Sequence, residues 1–243
     1  MRTSYIVDTD SDPPYHDYDL SVSVPNIGWW NLHGALGGLP LFSNLLVDNG
    51  TWIVGPSLPT AEEFGYSSRP RKFCGSQLNS THTMVTGGQV GPSGSSLSDV
   101  WLYDWSSGQW KVGQNMTKPR RDHLCTSIGG GRVVVAEGTG LYGQDLIDIE
   151  VFDPAAEGGL GGWYSMGDLP EDYDYGVGYQ GLLYNGKYLI YLVNRNIWLS
   201  DESFASWTKL EEIELGSRCG YNCDQRAAMI PEDFFFKKKS SSQ

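Results

Sequence analysis

Four tryptophans, Trp52, Trp110, Trp163 and Trp207, stand 58, 53 and 44 residues apart, and the residues around them repeat. Trp110 is preceded by Val100-Trp101-Leu102-Tyr103-Asp104, and Trp163 by Ile149-Glu150-Val151-Phe152-Asp153. Each reads as a strand of period two that ends in aromatic–Asp, followed by a Ser/Gly-rich or Gly-rich turn. Further upstream, Thr83-Met84-Val85-Thr86 runs into Gly87-Gly88, and Val133-Val134-Val135-Ala136 into Glu137-Gly138. Six residues after the first three tryptophans stand Leu58, Met116 and Leu169, with Pro59, Pro119 and Pro170 close behind. One supersecondary unit is written several times, and a fold that ignores the period is excluded.

The turn residues divide each unit into four short strands. The second unit predicts strands at 73–78, 82–86, 99–103 and 109–112, and the third at 124–128, 132–136, 147–152 and 163–166. The fourth predicts 178–184, 188–193, 196–199 and 206–209, with Leu199-Ser200 in the aromatic–Asp place. A four-stranded antiparallel unit cannot bury both faces alone, so neighbouring units must stack. Composition agrees. Glycine supplies 31 of 243 residues, against a usual ~7%. Aromatics make up 13% and charged residues 19%, against ~25% charged in ordinary domains. A disordered chain, a coiled coil and a helical bundle are excluded.

Gly87-Gly88, Tyr103-Asp104, Trp110 and the Pro119-Arg120…His123 run resemble the kelch repeat of β-propellers. The resemblance covers residues 71–120 well and 121–170 fairly, and is degenerate over 28–60 and 171–210. It implies an all-β fold, a β-propeller of kelch-type four-stranded blades, about four of them recognisable. Residues 1–27 read as an N-terminal segment with a remnant strand of an earlier blade. The blades occupy 28–236, and 237–243 is a flexible tail. Kelch propellers usually close with about six or seven blades, so the chain reads as part of a larger propeller or a degenerate one. Left open, it would expose blade faces and strand edges and would be marginal or prone to associate.

Net charge is −12, and the one basic run, Lys237-Lys238-Lys239, sits in the tail, which argues against nucleic acid as a partner. No stretch approaches the ~18 consecutive apolar residues of a membrane span. Met1–Pro14 carries Asp8, Asp10 and Asp12 where a signal peptide needs an apolar core, so the chain reads without an export signal. Three sequons, at Asn49, Asn79 and Asn115, lean towards an extracellular glycoprotein, with a cytoplasmic chain as the alternative. Cys219 and Cys223 flank Gly220-Tyr221-Asn222, a turn that leaves a local disulfide and free thiols both open. Cys74 and Cys125 read as equivalent small strand residues of successive units.

No catalytic or metal constellation can be assembled, and no cofactor is expected. His16, His33, His82 and His123 lack ligand spacing. Asp8–Asp12 alternates like a calcium loop, but Pro13 stands where glycine is required. Ser200–Trp207 faintly resembles the Asp-box of sialidase propellers, with Glu202 and Phe204 in place of its Asp and Gly. The densest acidic–aromatic run, Asp172, Tyr173, Asp174 and Tyr175, is the candidate partner-binding loop. The resemblance implies a non-catalytic scaffold that binds another protein, such as a basic one, or a glycan through loops on one face. The alternatives are a propeller enzyme of galactose-oxidase or sialidase type, with its active residues outside this chain, and a fragment of an intracellular ubiquitin-ligase adaptor.

Overall fold

The computed structural model describes residues 19–24, 27–33, 43–47, 51–56, 59, 70–90, 94–170, 180–184, 188–193 and 196–212. They form four antiparallel sheets of four strands each, in chain order. The first holds β1 (Asp19–Val24), β2 (Gly28–His33), β3 (Ser43–Val47) and β4 (Trp52–Val54). A short strand β5 (Pro70–Arg71) leads into the second sheet, β6 (Cys74–Gln77), β7 (His82–Thr86), β9 (Val100–Asp104) and β10 (Gln109–Val112), while β8 (Gln89–Val90) pairs back onto β5. The third sheet is β11 (Leu124–Gly129), β12 (Arg132–Ala136), β13 (Asp148–Asp153) and β14 (Gly162–Asp168). The fourth is β15 (Gln180–Tyr184), β16 (Tyr188–Val193), β17 (Asn196–Ser200) and β18 (Trp207–Glu212). The second strand of each of the last three units, and β10, fall at the bounds the sequence predicts, and the other strands of these units differ by one to three residues at an end.

The sheets stack in series through their first strands: β6 lies against β1 and β11, and β11 also against β15. Period two then sends alternate residues of one strand into different cores. Val133 and Val135 pack with Met84, Val100 and Phe152 between the second and third sheets. Val134 and Ala136 pack with Ile149, Val151 and Phe204 between the third and fourth. Val133, Val134 and Val135 are all fully buried, which explains the unbroken apolar run. Burial stabilises by roughly 1.5–3 kcal/mol per such side chain.

The tryptophans hold equivalent places. Trp110 pairs with Tyr103, Trp163 with Phe152 and Trp207 with Ser200, each on a fourth strand opposite the end of the third. Each packs backwards into the core shared with the preceding sheet; Trp110 lies 5.9 Å from Trp30, which is 5.6 Å from Tyr103. Met116 and Leu169, six residues on, instead enter the core shared with the following sheet. By backbone, Trp52 pairs with Leu46.

Two readings of the sequence are corrected. Cys74 and Cys125 are not equivalent small strand residues but the two halves of a disulfide between the second and third sheets, 51 residues apart in the chain. Lys72 and Asp122 share a left-handed backbone, and Cys74 pairs with Thr86 as Leu124 pairs with Ala136. The counterpart of Cys125 is therefore Gly75, one residue further along. One residue in a strand reverses the face, so the two thiols point towards each other across the gap. In the fourth unit, Ser200-Asp201, not Leu199-Ser200, stands in the aromatic–Asp place, because Ser200 pairs with Trp207 as Tyr103 pairs with Trp110.

Candidate interaction face

In a four-stranded meander, the connections between second and third strands emerge at the same end as those linking successive sheets. Around the second and third sheets that end is hydrogen-bonded into one layer. The chain leaves β7 through Gly87 (φ +61) and Gly88 (φ +107), whose amides donate to the carbonyls of Asp99 (2.8 Å) and Arg120 (2.9 Å). A Cβ on Gly87 would lie 2.3 Å from the Arg120 carbonyl oxygen, so only glycine fits there. Leu97 bridges to Arg120, and Arg121 and Thr139 exchange amide–carbonyl bonds of 2.9 and 3.1 Å. The loops at 94–98 and 139–145, widely separated in sequence, thereby lie side by side, as their place in the unit predicts.

Beneath them the connection is locked by charge. The fully buried Arg120 donates to the Glu137 carbonyl (2.8 Å), to Asp148 Oδ2 (3.0 Å) and to Glu150 Oε1 (2.5 Å). Glu150 in turn accepts from the main-chain amides of Thr117 and Lys118. Next to this lock, His123 is buried with Nε2 2.8 Å from Thr86 Oγ1. Burial, aided by the Arg120 charge, pushes its pKa well below the ordinary histidine value and keeps the ring neutral. Among the described residues, no three His, Cys, Asp or Glu side chains are grouped to hold a metal ion.

The sequence did not single out the most exposed aromatic of this face among the described residues. Tyr142 is 88% exposed at the tip of the loop Thr139–Asp145, beside Leu141. The loop is nonetheless rigidly bonded. Gly140 N–H donates to the Gln144 carbonyl (2.7 Å), Gly143 N–H to the Gly140 carbonyl, and Tyr142 N–H to Gln144 Oε1 (2.9 Å). Thr139 and Asp145 close its base as a bridge. Ser96 Oγ, which accepts from Arg121 Nη1, clasps the Thr139 and Gly140 carbonyls from the neighbouring sheet at 2.7–3.0 Å. Close by, Lys72 and Asp122 form an ion pair of 2.7 Å.

The opposite end carries tight turns built on one device. Asp104, Asp153 and Asp201 each accept at Oδ1 from the amide two residues on, in Ser106, Ala155 and Ser203. Such turns fix the hairpin between third and fourth strands. Hydrogen bonds from the Ser106 side chain and amide, and from Ser107, hold the Asp104 carboxyl well below the usual carboxylate range. Hydrogen bonds from the Ser203 hydroxyl, and from the amides of Ser203, Ser206 and Ala205, lower the pKa of Asp201. Asn79 and Asn115 are exposed. Asn49, the calcium-like run Asp8–Asp12, Asp172, Tyr173, Asp174, Tyr175, Cys219 and Cys223 lie outside the described residues.

Residues 70–117, from β5 to the connection beyond β10, match the Kelch motif family. Among solved structures the chain is similar to YjhT, a β-propeller, with a TM-score of 0.60 at 12% identity over 84% of this chain and 68% of that one. No curated protein sequence matches the chain significantly.

Proposed function

We propose that this kelch-type, propeller-built chain is an extracellular, non-catalytic scaffold that binds another protein, or a glycan, through the loops of one face. The observation that carries the reading is Tyr142, held almost fully exposed on a loop that is itself immobilised by hydrogen bonds. A rigid tyrosine supplies contact area at little cost in conformational entropy, which is the character of an interface anchor. The polar side chains around it, Ser96 and Arg121, are spent on holding the loops together, which supports recognition without chemistry. The acidic–aromatic run Asp172–Tyr175, which follows β14 in the chain and lies outside the described residues, is proposed as a second recognition element, suited to a basic patch. The disulfide between sheets supports an oxidising compartment.

The test is a binding screen of the purified chain against an array of extracellular domains and immobilised glycans. Tyr142→Ala is expected to weaken the binding found by about fivefold or more, equivalent to ~1 kcal/mol, and Val112→Ala, at an exposed site on β10, to leave it unchanged. A partner whose affinity ignores Tyr142, Tyr173 and Tyr175 but falls when the turn at Asp104 is altered would overturn the choice of face.

A further inference from the structure

We propose that Asn79 and Asn115 both carry N-linked glycans, and that the glycan on Asn79 shields the tight-turn end and leaves the opposite face for recognition. The proposal rests on the extracellular reading above. A sequon alone marks a candidate; the folded structure must also leave the amide nitrogen pointing into solvent.

At Asn79 the orientation of the carboxamide is fixed. Its Oδ1 accepts from the main-chain amides of Thr81 and His82, both at 2.9 Å, and from Thr81 Oγ1 at 3.1 Å. A carboxamide nitrogen cannot accept from an N–H, so the oxygen must face the turn. The planar group then directs Nδ2 away from it, and Nδ2 has no hydrogen-bond partner among the described residues. The turn is also tied down around it, since Thr81 O accepts from Trp105 N–H at 2.8 Å and His82 pairs with Asp104. A glycan on Nδ2 therefore breaks no bond of the fold and stands over the Asp104 turn.

At Asn115 the fold leaves the residue itself exposed. The next two residues are pinned inwards: Met116 is buried and donates its amide to the Ser98 carbonyl, and Thr117 donates to Glu150. Asn115 is left exposed at the outer edge of the second sheet, beyond the edge strand β10.

The modification is a glycosyl transfer from a lipid-diphosphate oligosaccharide donor. Nδ2 forms a bond to the anomeric carbon, the bond from that carbon to the diphosphate oxygen breaks with its electron pair, and the amide gives up one proton.

The test maps peptides of the full chain isolated from its own cells, before and after peptide-N-glycosidase F in ¹⁸O-water, with thiol labelling of the same sample. We expect Asn79 and Asn115 to be recovered as ¹⁸O-labelled aspartate, with Cys74 and Cys125 protected from the label. N79Q and N115Q, expressed in a secreting eukaryotic host, should each remove one glycan step from the intact mass. Unmodified asparagine at both sites in a chain with the disulfide formed overturns the proposal and leaves the extracellular reading standing. Unmodified asparagine with free thiols overturns both. Modification at one site alone overturns the assignment of the other.

Discussion

The indole N–H of Trp163 donates to the main-chain carbonyl of Gln114 at 2.8 Å, across the boundary between the second and third sheets. Trp207 repeats the contact at the next boundary, with the Asp168 carbonyl at 3.2 Å. In each case a fourth-strand tryptophan reaches the chain at the end of the preceding sheet. Trp163→Phe, which keeps most of the ring, should cost ~1 kcal/mol for the lost hydrogen bond. Trp163→Ala should cost ~3 kcal/mol, because the core shared with Phe152 loses its lid. Urea unfolding measures both, and equal losses would mean that the hydrogen bond matters more than the packing.

The disulfide closes a loop of 51 residues. On the chain-entropy account, a loop of that length is worth about 4 kcal/mol, so the double variant Cys74→Ser/Cys125→Ser should unfold at markedly lower urea concentration. Dithiothreitol should bring the wild type to the same midpoint. No change under either treatment would show that the two sheets are held in register without the cross-link.

Replacing Arg120 with methionine leaves the buried Glu150 without its cation and Asp148 with Lys118 alone, at 3.1 Å. A loss of about 3–5 kcal/mol is expected, since one partner of a buried charge set has been removed. Adding Asp148→Asn and Glu150→Gln should recover part of it. If the single variant is as stable as wild type, the lock does not hold the connection.

His123 also makes an acid limb. Its folded pKa lies below the unfolded value of about 6.5, so its contribution is complete above that pH and is lost as pH falls towards the folded pKa. One proton taken up on unfolding gives a slope of about 1.4 kcal/mol per pH unit below pH 6.5. His123→Phe should flatten that limb, because Phe73 already fills the matching place before β6. Urea midpoints of both proteins between pH 7 and 5 decide it; parallel curves would assign the acid sensitivity elsewhere.

Strands were legible wherever punctuation and parity spoke together. Gly129-Gly130-Gly131 and the alternation from Val133 onward fix β12, and Ser106-Ser107-Gly108 before Trp110 fixes β10. What sequence could not resolve was one-residue displacement. Cys74 and Cys125 stand in similar words of the repeat, yet their separation differs by one from that of the register, and parity turns that difference into a bond. The same displacement disguised Asp201, whose turn matches that of Asp104. Tyr142 left no periodic trace. Its prominence follows from the bonds of Gly140, Gly143 and Gln144, and only the glycines on either side of Leu141-Tyr142 hinted at a formed turn.

The backward reach of Trp110, Trp163 and Trp207 and the forward reach of Met116 and Leu169 lay the sheets like overlapping roof tiles. No tile can be lifted cleanly. A cut in the chain just before β11 leaves Met116 protruding from the first piece and strips Trp163 of its seat in the second. The written repeat and the piece able to stand alone are therefore out of phase, and domain swapping or recombination that respects the repeat boundary would still tear a core in two.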